Sequence, residues 1–130
     1  TGNNRNRLRT RVQPVTCGKN WLDLYDGVKR APAGRIEIDF PCELMAVSPD
    51  GTRVLVQAID GEGRLDVFAA DGQHVAGCRP FQDESEKVKR EIASAAFLDA
   101  NTVAACSLDD RLIVFRLPSC EPVFAVDDAG

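Results

Sequence analysis

The chain has 130 residues, 44% of them hydrophobic and 28% charged, with a formal net charge of −4. That length suits one ordinary domain able to bury a core, and no apolar run approaches the roughly 20 residues that cross a bilayer, so no membrane partner is expected. Charge is uneven: residues 1–35 carry eight Lys/Arg against two Asp/Glu, and residues 36–130 carry eight against eighteen.

The chain opens at Thr1 with neither an initiator Met nor a signal pattern, which reads as a piece excised from something longer. Residues 1–9 form a basic arm. Arg5, Arg7, Arg9 and Arg11, set among Asn, Leu and Thr, read first as a solvated terminal segment. Their every-second-residue spacing would place four guanidinium groups on one face of an extended arm, so polyanion or nucleic-acid contact is the alternative, though not the favoured one.

From residue 10 onward the sequence is organised by a repeat. "WLDLYD" at 21–26, "RLDVFA" at 64–69 and "RLIVFR" at 111–116 share a leucine, then Leu or Val, then an aromatic; Leu22, Leu65 and Leu112 lie 43 and 47 residues apart. Residues 10–40 give an incomplete first unit, with "RTRVQPVT" before its copy and "GRIEIDF" after it. Residues 41–81 give a full unit of four short runs: "ELMAVS", "TRVLVQAI", "RLDVFA" and "DGQHVAGCRPF". The runs are rich in Val, Ile, Leu, Phe and Thr, with Pro, Asp and Gly between them, the composition of strands joined by tight turns. In "SPDGTRV", Pro49, Asp50 and Gly51 suit successive turn positions that return the chain as a hairpin.

Residues 82–91, "QDESEKVKRE", form a charged connector, the longest insertion and a candidate contact loop. Taken alone, "SEKVKREIASAAFL" at 85–98 fits an amphipathic helix capped by Ser85. The repeat favours a strand for 92–98, because Asp99 and Thr102 fall where Asp50 and Thr52 stand in the preceding unit. Residues 92–130 then form the third unit. "LIVF" and "VLV" place apolar groups on both faces of their strands, so both faces are expected to be covered. Small residues in "ASAA" and "VAAC" suit strands crowded near a common axis.

These runs, with the Ser-Pro-Asp-Gly turn and the Leu-x-Val-Phe strand, resemble blades of a WD-repeat β-propeller over about Thr10 to Val126. The Gly-His and Trp-Asp dipeptides are absent, with Phe68-Ala69 and Phe115-Arg116 where the second would stand, so the family's structural His and Asp network carries over to no residue here. The resemblance implies an all-β fold of four-stranded antiparallel meander sheets, about two complete blades plus part of a third. Such a set cannot close a ring alone. It implies either a segment of a longer propeller, the favoured reading, or closure by self-association.

Chemistry is sparse. "DGEGRLD" has neither P-loop spacing nor, in Asp60, Glu62 and Asp66, the length of a calcium loop. His74 is the only histidine and reads as a surface strand residue; no catalytic residue, metal site or cofactor is expected. The cysteines, Cys17, Cys42, Cys78, Cys106 and Cys120, are no closer than 14 positions, which excludes a dense disulfide framework or a zinc knuckle. They read as reduced, partly buried thiols, which favours a reducing intracellular compartment. Trp21, Tyr25, Arg79 and Phe81 are candidate anchors for a protein partner, each equally suited to packing between blades. The functional expectation is a non-catalytic interaction scaffold, with the accessory domain of a larger enzyme as a further alternative.

Overall fold

The computed structural model describes residues 8–14, 20–26, 31–60, 62–81 and 91–126, with side chains at all of these except 8–14, 20, 25, 26 and 31–33. Among the described residues every regular element is a strand. The first sheet holds β1 (Leu8–Pro14), β2 (Asn20–Asp26) and β3 (Ala31–Ile38). The second holds β4 (Cys42–Val47), β5 (Arg53–Ala58), β6 (Leu65–Ala69) and β7 (His74–Cys78). The third holds β8 (Ile92–Asp99), β9 (Thr102–Ser107), β10 (Leu112–Arg116) and β11 (Glu121–Val126).

Strands pair in chain order and antiparallel throughout, so each sheet is a meander. Leu22, Leu65 and Leu112 fall on β2, β6 and β10, the next-to-last strand of each sheet. Among the described residues the first sheet has three strands and no leading fourth, and residues 92–98 belong to β8. Of the charged connector, residues 82–90 lie outside the described residues.

A shared device shapes two of the turns. At the β4–β5 turn the Ser48 hydroxyl donates to Asp50 Oδ1 at 2.7 Å and accepts from the Arg53 N–H at 3.0 Å. Thr52 donates to the same carboxylate from its N–H and its hydroxyl, and Gly51 takes φ 74°, a left-handed conformation that costs glycine little. At the β9–β10 turn Ser107 donates to Asp109 and accepts from the Arg111 N–H.

The second sheet is buried on both faces. Val54, Val56 and Phe68 pack with Leu22, Leu24, Ile36 and Ile38 of the first sheet. Leu55, Leu65, Val67 and Ala76 pack with Phe97, Val103, Ala105 and Phe115 of the third. Successive strand residues point to opposite faces, so covering both demands the continuous apolar runs of β5 and β6.

Polar ties reinforce the second interface. Arg53 of β5 donates to the Ala100 carbonyl at 2.7 Å and to Asn101 Oδ1 at 2.9 Å, while Gln57 of β5 binds the backbone of Ile92. At the end of β7, Cys78 is disulfide-bonded to Cys120 in the β10–β11 turn. The expectation of reduced thiols therefore fails for this pair, and the argument for a reducing compartment loses its premise. The two cysteines are 42 residues apart but the fold sets their Cα atoms 5.7 Å apart, within bridging range. Only the stacking of one sheet on the next creates that proximity.

Candidate interaction surface

Register shows how each sheet addresses its successor. Leu22 and Leu24 of β2 face the second sheet, and the equivalent Leu65 and Val67 of β6 face the third; all four are at most 1% exposed. Leu112 and Val114 of β10 hold the same positions in the third sheet. They lie on the face opposite Val103, Ala105 and Phe115, which pack against the second sheet.

That outer face is apolar and partly open: Val114 is itself buried, Leu112 is half-buried, and the exposed apolar groups are those of β11. Across it Val114 pairs with Ala104 on one side and Phe124 on the other, and Leu112 pairs with Cys106 and Val126. Phe124 is 51% exposed and Val126 40% exposed, whereas Ala76 and Cys78, their equivalents on β7, are buried. A row of aliphatic and aromatic groups in water is the signature of a docking face. Strand addition to the neighbouring edge is disfavoured, because Pro122 of β11 offers no N–H and the β10–β11 pairing carries a register shift.

The outer face of the first sheet has a different character. Trp21 lies beneath the Arg35 guanidinium at 4.6 Å, and Arg35 Nε donates to Asp23 Oδ1 at 2.8 Å. These two contacts occupy the plane and the polar edge of the guanidinium together. Among the described side chains, the first sheet's outer face carries this Trp21–Arg35–Asp23 cluster and the third sheet's carries Phe124 and Val126.

The other anticipated residues are placed unequally. Phe81 is a core residue beneath the Arg111 guanidinium, 4.8 Å from the ring centroid, and so is not a surface anchor. The arrangement is repeated: Arg64, at the position of Arg111, stacks on Phe40 at 4.9 Å. Each pair pins the segment entering a sheet to that sheet's third strand. Arg79 is exposed and lines a cavity of about 470 Å³ beside the disulfide. Tyr25 pairs through its backbone with Arg9 and Pro32, its side chain lying outside the described residues. Arg9 and Arg11 belong to β1, in register with Tyr25 and Asp23, and Arg5 and Arg7 fall outside the described residues. Trp21, Arg79 and Phe81 are not gathered into one site. The open face of the third sheet was not among the residues singled out from sequence, although the repeat held its signal: Leu112 and Val114 recur at the positions of Leu65 and Val67.

Titratable groups are engaged in structure. The fully buried Asp66 carboxylate receives Arg64 Nη2 at 3.1 Å and faces His74 Nε2 at 2.9 Å through Oδ1. Arg64 Nε lies 2.8 Å from Oδ2 without an aligned N–H, so that oxygen is held by charge rather than a directed bond. Burial, with smaller contributions from Asp66 and Glu43, pushes the Cys42 thiol up to about 11, far from a reactive thiolate. Ser48 and Ser107 are turn fasteners, not paired with a base. Among the described residues no group of three His, Cys, Asp or Glu side chains could hold a metal.

No protein-family model and no curated protein matches this chain. Solved structures do. The chain is similar to the structure of U3-55K, with a TM-score of 0.58 at 13% identity, covering 91% of this chain and 36% of that one. It is similar to the RRP9 WD40 repeats, with a TM-score of 0.58 at 13% identity and coverages of 91% and 35%. Hydrazine synthase of Kuenenia stuttgartiensis matches with a TM-score of 0.55 at 14% identity and coverages of 88% and 34%. The chain spans about a third of the length of these structures. At such identities the likeness concerns the fold alone, a WD-repeat-like partial β-propeller, and the presence of an enzyme among the matches shows that this fold does not decide chemistry.

Proposed function

We propose that this chain is a non-catalytic propeller segment acting as a protein-interaction scaffold through the open face of its third sheet. The single observation that carries the reading is the exposure of Phe124 and Val126 beside Leu112, at positions buried by a following sheet in the preceding unit. Chemistry is consistent with it: Ser48, Ser107, His74 and Asp66 are each engaged in a structural contact.

The partner that fits is another β-sheet with an aliphatic or aromatic face, supplied by the further blades of a longer propeller. Head-to-tail self-association fits less well, because the other end of the chain presents Trp21, Arg35 and Asp23 in a polar cluster. The test compares wild-type protein with a Phe124→Asp, Val126→Asp variant as immobilised bait. A protein retained by the wild type and lost by the variant is the expected result. Equal retention by both, or small-molecule turnover with no retained protein, overturns the scaffold reading.

A further inference from the structure

We propose that the Cys78–Cys120 disulfide is an exchangeable latch between the second and third sheets, opened by a small anionic thiol that docks in the adjoining cavity. This goes beyond the scaffold reading and rests on different atoms.

The cavity, about 470 Å³, is lined by both cysteines together with Arg79, Ser119, Gly77 and Pro122. That volume is within the roughly 300–1,000 Å³ typical of small-molecule sites. Among the described residues Arg79 is the one charged side chain in its lining, an exposed cation adjacent in sequence to the buried sulfur. A carboxylate-bearing thiol entering the cavity therefore meets a guanidinium for its acid group and a disulfide for its sulfur.

Access makes the exchange directional. Cys78 is 4% exposed and Cys120 is half-buried, so an incoming thiolate reaches the Cys120 Sγ. The attacking sulfur bonds to Cys120 Sγ, the Sγ–Sγ bond breaks, and Cys78 leaves as a thiolate that takes up the proton released by the incoming thiol. The products are a Cys120 mixed disulfide and a Cys78 thiol. A second thiol attacking the mixed disulfide releases the small-molecule disulfide and the Cys120 thiol, so two thiols are oxidised as one protein disulfide is reduced.

Local structure gives the exchange a consequence. Cys120 holds φ 64°, a left-handed conformation that a non-glycine residue keeps only when its surroundings fix it. Glu121, the next residue, begins β11, the strand that bears Phe124 and Val126. Opening the latch frees the start of that strand, while Leu65, Val103 and Phe115 keep the two sheets packed.

The experiment incubates the protein with reduced glutathione or with 2-mercaptoethanol, quenches with acid, and maps the adducts by mass spectrometry. The expected results are a glutathione adduct on Cys120 and faster amide exchange over residues 121–126. Arg79→Ala should slow the glutathione reaction about threefold, the scale of one exposed charge pair, and leave the 2-mercaptoethanol rate unchanged. Arg79→Lys, which keeps the charge, should preserve the glutathione rate. Failure to form an adduct, an adduct on Cys78, or equal slowing of both thiols by Arg79→Ala overturns the proposal without touching the docking face.

Discussion

The side-chain amide of Gln57 and the backbone of Ile92 exchange two hydrogen bonds. Gln57 Oε1 accepts from the Ile92 N–H at 3.0 Å, and Gln57 Nε2 donates to the Ile92 carbonyl at 3.2 Å. A buried side chain on β5 thereby acts as a strand partner for the first residue of β8, and Nε2 also donates to Glu43 at 3.1 Å. Gln57→Leu removes both partners of the Ile92 backbone, and both residues are buried. Leaving a donor and an acceptor unpaired costs about 1–3 kcal/mol each, so a loss of about 2–4 kcal/mol is expected in urea unfolding. A loss comparable to a surface substitution, within about 0.5 kcal/mol, would show that water replaces the amide.

Leu65 and Leu112 hold equivalent places, but among the described residues only Leu65 has a sheet against it. Leu65→Ala should cost about 2–5 kcal/mol, the range for a truncation in a closed core. Leu112→Ala should cost much less in this chain, because Leu112 already meets solvent. Unfolding measured with and without a retained partner checks the relation: binding to the open face should raise the cost of Leu112→Ala toward that of Leu65→Ala, while equal costs without a partner would contradict the open face.

The aspartates of the two Ser-x-Asp turns predict an acid limb. Hydrogen bonds from Thr52 and Ser48 hold the Asp50 carboxyl below its ordinary range, and bonds from Ser107 and Arg111 do the same for Asp109. A carboxyl depressed in the folded state contributes stability in full above its unfolded value, near 3.9, and loses that contribution as pH falls through the folded value. Ser48→Ala and Ser107→Ala remove one donor each. Urea unfolding from pH 6 to pH 2 should therefore show variants weaker than wild type at pH 6 and a gap that narrows below pH 4. A gap that widens on acidification would contradict these bonds.

The blades were legible because their defining residues recur. Leu22, Leu65 and Leu112 return with their turn residues, and the alignment of Asp99 and Thr102 with Asp50 and Thr52 favoured a strand where local periodicity also allowed a helix. Contacts between units were not legible. Phe81 and Phe40 are set apart from surface aromatics by core packing and by Arg111 and Arg64, contacts made only once the sheets have stacked. The Cys78–Cys120 bond likewise depends on one sheet's last strand meeting the next sheet's last turn. Periodicity reports which face of a strand is apolar, but a neighbour's arrival depends on packing that no single run encodes.

Gly77 tests how tightly the buried carboxylate is held. A Cβ built there would lie 3.0 Å from Asp66 Oδ1 and 3.8 Å from atoms of the His74 ring, closer to the oxygen than side chains normally approach. Gly77 is not among the positive-φ glycines, so alanine adds a contact rather than backbone strain. Asp66 Oδ1 cannot retreat easily, since His74 and Arg64 both engage it. Overpacking of this kind costs about 1–3 kcal/mol, and Gly77→Ala should fall in that range by urea unfolding. His74→Ala removes one of the groups holding the oxygen, so the cost of Gly77→Ala should shrink by at least about 0.5 kcal/mol in that background. Strict additivity of the two substitutions would mean that the crowding is relieved elsewhere and that the histidine does not fix the carboxylate.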